Sequence, residues 1–187
     1  MTEAEFVAAV FRNPVNAIIL ARLPQLETAG AWLVSGALFQ TVWNVLTRRA
    51  PDYGIKDYDV FYFDSYTSWD AENAVIERAR RLFADMDAVI EVRNQARVHL
   101  WYEAKFGSPY PPLARTTDGI DHFLMHNAQV GIRPRGDSYE VYARHGFDDI
   151  ANMIVRPNRT PNFRANRYRE KAERWKSLWP EITILPA

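Results

Sequence analysis

A chain of 187 residues fits one domain of ordinary size and is short for two. Its residues are 48% hydrophobic and 25% charged, enough apolar surface to offset the entropy of ordering, which excludes an intrinsically disordered chain. The 23 basic residues balance the 23 acidic ones, so no global field draws the chain to nucleic acid or membrane. Zero cysteines exclude disulfide scaffolds, thiolate metal sites and cysteine nucleophiles.

Thr2-Glu3-Ala4-Glu5 has capping-box spacing and lacks the basic start of a secretory leader, so a first helix begins there. Asn13-Pro14 opens a second helix carrying Ile18, Ile19 and Leu20, which Pro24 should break. Trp32-Leu33-Val34 reads as a short buried strand ending at Ser35-Gly36, and Ala37 to Arg49 returns to helical period. Tyr58 to Phe63 is rich in β-formers, and Ser68 or Asp70 caps a helix over about 71–83. Residues 88–92 and 97–101 read as strands joined at Asn94-Gln95, followed by a proline-rich loop through Pro112. A short helix over 118–126 precedes strands 130–133 and 139–143, which flank the turn Arg135-Gly136-Asp137, and 147–154 reads as a further short helix. No apolar run reaches the ~18 residues of a membrane span. The expectation is a cytoplasmic α/β or α+β protein without membrane contact, built as a single domain. It would comprise an N-terminal helical layer (1–30), a core (31–101) and a C-terminal extension (102–187).

The chemistry concentrates between residues 33 and 61. At a period of two, Asp57 and Asp59 point to one side of a strand, where paired carboxylates suit a hard cation such as Mg²⁺. Without a cation or basic partner, such a pair raises its own pKa values. Ser35-Gly36, opening a helix after a strand, supplies backbone N–H groups of the kind that hold phosphate oxygens. Strand, Ser-Gly, helix and Asp-x-Asp strand in one short segment describe a metal–triphosphate site.

Val34-Ser35-Gly36-Ala37 followed by Asp57-Tyr58-Asp59 resembles the signature of the DNA polymerase beta-like nucleotidyltransferase superfamily. The strings 32–38, 57–64, Arg93-Asn94-Gln95-Ala96-Arg97-Val98-His99, 146–149 and 155–158 look like successive blocks of a bacterial nucleotidyltransferase-like family, covering roughly 30–180. The resemblance implies a mixed sheet flanked by helices, and two Mg²⁺ ions held by three carboxylates that align an NTP for attack by a hydroxyl acceptor. Carried over by position, Ser35 and Gly36 contact the phosphates, and Asp57 and Asp59 bind the metals. Ala37 stands where the superfamily commonly has a second Gly or Ser.

For the third carboxylate, Glu91 is the candidate, because an ionised side chain in a buried-type strand needs a partner; the alternative is an edge-strand surface residue. Asp64 lies five residues beyond Asp59, points away from the pair and ends the strand. His99 suits a metal ligand, a proton acceptor for the attacking hydroxyl or a hydrogen-bonded structural residue, and Asn94 a nucleotide contact or a turn former. His122 and His126 have i, i+4 spacing but nothing completes a zinc set. Residues 156–176 hold eight basic side chains against two acidic, a net of +6, interleaved with Phe163, Tyr168 and Trp175. That pattern suits RNA or a nucleoside triphosphate, or else an amphipathic helix whose aromatics pack inward. The reading is a Mg²⁺-dependent transferase of nucleoside monophosphate to an unidentified hydroxyl. The alternative is a degenerate nucleotide- or RNA-binding protein on the same fold.

Overall fold

The computed structural model describes all residues, 1–187. The Thr2 side chain accepts from the Glu5 N–H and Glu5 accepts in return from the Thr2 N–H, starting α1 (Glu3–Val10) as expected. Asn13 caps α2 (Pro14–Arg22) through Oδ1 while its amide donates to Thr41 Oγ1 and Tyr58 OH, so the cap also fastens the N-terminal layer to the core. Pro24 sits in a 3₁₀ turn, Leu23–Leu26, that ends this layer.

Strand β1 (Trp32–Val34) leads into α3 (Gly36–Leu46), then β2 (Tyr58–Tyr62), α4 (Trp69–Leu82, capped by Ser68) and β3 (Ile90–Asn94). The strand expected over 97–101 is instead a 3₁₀ turn, Gln95–Leu100. Asn94 Oδ1 accepts the Ala96 N–H and bends the chain out of the sheet before a ladder can form. Helix α5 (Tyr102–Phe106) occupies the start of the predicted loop. There follow α6 (Thr116–Asp121), the hairpin β4 (Val130–Arg135) and β5 (Ser138–Ala143), and α7 (Asp148–Ala151). Strand β6 (Ile154–Val155), helix α8 (Ala165–Leu178) and strand β7 (Thr183–Ile184) complete the chain, β6 and β7 pairing in parallel.

The main sheet has the order β3-β2-β1-β4-β5, with β2 and β3 parallel and the other neighbours antiparallel. One face, including Leu33, Val60, Tyr62, Val92 and Ile132, lies under the helices in the main core. Trp43 and Trp175 meet edge to face there, holding α8 against α3. The other face carries Trp32, Val34, Asp59, Phe61, Glu91 and Arg93 and is covered only in part, by Ile120 and Phe123. No single helix is long and apolar enough to cross a membrane. Only α1 with the segment Pro14–Leu26 passes that test as a pair, bent by 100°, and it contributes Phe6, Val10, Ile19 and Leu20 to the core.

Candidate active site

Strand register builds the site. Val34 pairs with Asp59 across β1 and β2, so the bend at Ser35-Gly36 directly follows the residue beside Asp59. The bend's left-handed residue is Ser35, at φ 56° and ψ −117°, rather than the glycine after it. A non-glycine backbone held there costs about 1–3 kcal/mol and needs support from its surroundings. The Ser35 N–H supplies part of it, donating to Val130 O at 2.9 Å. The Ser35 carbonyl accepts from Leu38 and Phe39, leaving the amides of Gly36 and Ala37 as the free donors of the α3 N-terminus. The Ser35 side chain is buried.

Asp57 is exposed just ahead of β2, while Asp59, two residues on along the same face, is half-buried beside Glu91, its partner in the parallel ladder. Burial first, and then the negative charges of Asp57 and Glu91, raise the Asp59 carboxyl to about 7. Two of the three expected carboxylates thus raise the third, a donor set short of positive charge that fits a hard dication. Mg²⁺ commonly takes one or two carboxylates and completes its shell with water and substrate phosphate. Glu91 is turned aside, its Oε2 3.1 Å from Arg93 Nη2, and the three carboxylates do not converge as a ready-made metal cluster.

Asp59 and Glu91 line a cleft of about 240 Å³ whose far end is aromatic, with Tyr102, Phe106, Tyr110 and Phe123. The cleft's cationic wall comes from α8, which contributes Lys171 and Arg167. Lys171 is exposed on α8 and opens onto the cleft, where the carboxylates of Asp59 and Asp57 attract its charge. One guanidinium nitrogen each of Arg167 and Arg174 is closed off from solvent without an acceptor. Arg167 and Lys171 lie at i and i+4 on one face of α8, and that spacing is the signal the sequence holds for this wall. Tyr168 and Trp175, by contrast, are 0% and 1% exposed, so neither can stack on RNA bases. The basic segment is the inward-packed amphipathic helix.

A family model described as nucleotidyltransferase matches residues 21–184. The chain belongs to this nucleotidyltransferase family. An NMR structure reported to reveal a CCA-adding enzyme head domain superposes with a TM-score of 0.79, covering 100% of this chain and 97% of that one at 24% identity. The likeness establishes the fold: a mixed sheet with flanking and N-terminal helices. No curated protein matches the chain.

Among the other positions that the nucleotidyltransferase resemblance marked, Asn94 is buried and its side chain is spent within the protein. Its oxygen accepts from Asp64 N and Ala96 N, and its amide donates to Asp64 O. That leaves it a structural clamp, with Asp64 beyond the end of β2. His99 lies on the 3₁₀ turn away from the cleft lining, and its Nδ1 is closed off without a partner. His122 is held through Nδ1 to Asp118 O at 2.7 Å, whereas His126 stacks on His145 at 3.8 Å, so the two do not share a site.

Proposed function

We propose that this nucleotidyltransferase moves a nucleoside monophosphate from an NTP to a hydroxyl acceptor in a Mg²⁺-dependent reaction, with Asp57 and Asp59 as the metal ligands and Glu91 as the third carboxylate. The observation that carries the reading is the Val34–Asp59 pairing, which makes the Ser35-Gly36 bend and the carboxylates immediate neighbours, opposite the cations of α8. Mg²⁺ bound with the nucleotide would offset charge on the α-phosphate and lower the pKa of the attacking hydroxyl. The Gly36 and Ala37 amides and the Ser35 hydroxyl would hold phosphate oxygens at a helix N-terminus. Arg167 and Lys171 would balance the charge of the leaving pyrophosphate. Glu91 would have to leave Arg93 to join the two aspartates. The phosphoryl bond to the acceptor oxygen forms as the bond to pyrophosphate breaks, and the acceptor's proton leaves to solvent or to a carboxylate.

The test is pyrophosphate release in a screen of NTPs and hydroxyl acceptors with Mg²⁺. Release should disappear in Asp57→Asn and in Asp59→Asn; release that survives both changes rules the mechanism out. The Glu91–Arg93 ion pair favours one second reading, a degenerate transferase that binds Mg²⁺–NTP without turnover. Metal-dependent nucleotide binding in calorimetry with no pyrophosphate from any acceptor would select it.

A further inference from the structure

Gln95 is 1% exposed, yet it lines the cleft with its amide almost unspent. Its only hydrogen bond is a long one, 3.5 Å from Nε2 to Arg93 O, and Oε1 has no donor. A buried amide normally has partners, and one left open toward a cavity points to a ligand that supplies them. Gly119 on α6 makes room for it: any Cβ there would run into Gln95 Oε1, so the missing side chain lets the amide lie where it does.

Half-buried aromatic rings line the same cleft as this amide. Phe61 and Phe123 stack with centroids 5.4 Å apart, and Tyr102 meets Phe106 at 4.7 Å and Tyr110 at 4.4 Å. The Arg167 guanidinium lies 4.1 Å from the Phe106 centroid, at the junction between the aromatic end and the charged end. The cleft therefore grades from carboxylates and cations to flat apolar walls with one open amide. A nucleoside triphosphate has the same grading, anionic at one end and a flat, hydrogen-bonding ring at the other. At about 240 Å³ the cleft falls below the roughly 300–1,000 Å³ of sites that enclose drug-sized ligands, which suits part of one nucleotide rather than a nucleotide and its acceptor together.

We infer that the aromatic end of the cleft receives the nucleobase of the NTP and that Gln95 recognises its hydrogen-bonding edge, the acceptor approaching from outside. The inference rests on the proposed function. It makes Gln95 a specificity residue, since a side-chain amide can donate and accept at once to a base edge, while the rings supply stacking that tolerates any base.

The experiment titrates the full chain with four unphosphorylated nucleosides (adenosine, guanosine, cytidine and uridine) by saturation-transfer NMR. Separately, it titrates the chain with Mg²⁺–tripolyphosphate by calorimetry. At least one nucleoside should bind to the wild type. Gln95→Leu, and independently Gly119→Ala, should weaken that nucleoside at least tenfold and leave tripolyphosphate unchanged. Gly119→Ala keeps every amide and ring of the cleft, so it serves if the leucine variant fails to fold. Tripolyphosphate binding with no nucleoside binding, or nucleoside binding indifferent to both changes, overturns the inference and leaves the transferase reading standing. If tripolyphosphate does not bind with Mg²⁺, the transferase reading falls and the inference with it.

Discussion

Trp179 donates its indole N–H to Asn44 Oδ1 at 2.8 Å inside the core, joining residues 135 positions apart. Asn44 is fully buried, and its Nδ2 donates to Pro51 O and Tyr53 O, so one side chain on α3 holds both the loop before β2 and the end of α8. α8 carries Lys171 and Arg167, and the loop leads into Asp57, so this amide ties together the elements that carry both walls of the cleft, alongside the packing of Trp175 on Trp43.

Removing that amide leaves the buried Trp179 donor unsatisfied, at about 1–3 kcal/mol, and takes from two partly buried carbonyls a bond worth about 0.5–1 kcal/mol each. Asn44→Ala should therefore lose about 2–5 kcal/mol in urea denaturation. Trp175 gives the internal control, because its indole N–H is buried without a partner. Trp179→Phe should cost about 1–2 kcal/mol more than Trp175→Phe. Equal losses would show that the Asn44 bond carries no net stability.

Asp59 makes stability depend on pH in an unusual direction. Its carboxyl rises from 3.8 to about 7 on folding, so between those values the native state holds a proton that the unfolded chain has released. The contribution is complete below pH 4 and is lost as pH rises through about 7. Asp59→Asn, which cannot ionise, should melt at a higher temperature than the wild type at pH 8, with the gap closing toward pH 4. Mg²⁺ at pH 8 should raise the wild-type melting temperature and leave the variant unchanged. Thermal melts across pH 4–8 with and without Mg²⁺ check both; a variant no more stable at pH 8 contradicts the account.

Asp57 and Asp59 could be read from the sequence as a same-side pair because strand periodicity is a local rule, and Ser35-Gly36 because a bend between strand and helix has a local signature. The register that makes them neighbours is nonlocal, yet β1 and β2 pair across only α3 and one loop. The cationic wall was illegible in role. Charges at i and i+4 look alike whether they face water or a cleft, and only the packing of Trp175 on Phe39 and Trp43 decides which way α8 turns. Residues 97–101 read as a strand because Val98 and Leu100 alternate like one, whereas Asn94, for which the sequence leaves open a nucleotide contact or a turn, caps a 3₁₀ turn. Strands β6 and β7 have two residues each, too few for any periodicity to register.

Arg167 and Lys171 are the cations of α8 that line the cleft, and Arg167 has a guanidinium nitrogen without an acceptor in the protein, so both are placed to bond phosphate oxygens. Hydrogen bonds to charged groups are worth about 1.5–3 kcal/mol, so each alanine substitution should weaken Mg²⁺–NTP binding by roughly 10- to 100-fold. Calorimetry with tripolyphosphate alone should show the same loss, because the contact is to phosphate. Unchanged affinity in both variants would place the triphosphate elsewhere.

His126 and His145 stack with ring centroids 3.8 Å apart and an interplanar angle of 6°, beside Asp149, which Arg156 grips at 2.9 Å. Burial leads in lowering both imidazole pKa values; His145 lowers His126 further, Arg144 lowers His145, Arg156 adds to both, and Asp149 opposes them. A histidine whose pKa falls on folding is more readily protonated in the unfolded chain. The pair's contribution is therefore whole above the unfolded value of about 6.5 and is lost as pH drops through the depressed native values. Both residues flank the β4–β5 hairpin near α7, so the acid loss should begin there. Asp59 pulls wild-type stability the other way over this range, so the pair is read as a difference: the melting temperature of His145→Gln, which leaves one titrating ring and removes the neighbouring positive charge, should rise relative to wild type from pH 7 toward pH 5. Melting curves of the two proteins that stay parallel over this range would show that the stacked pair does not govern acid sensitivity.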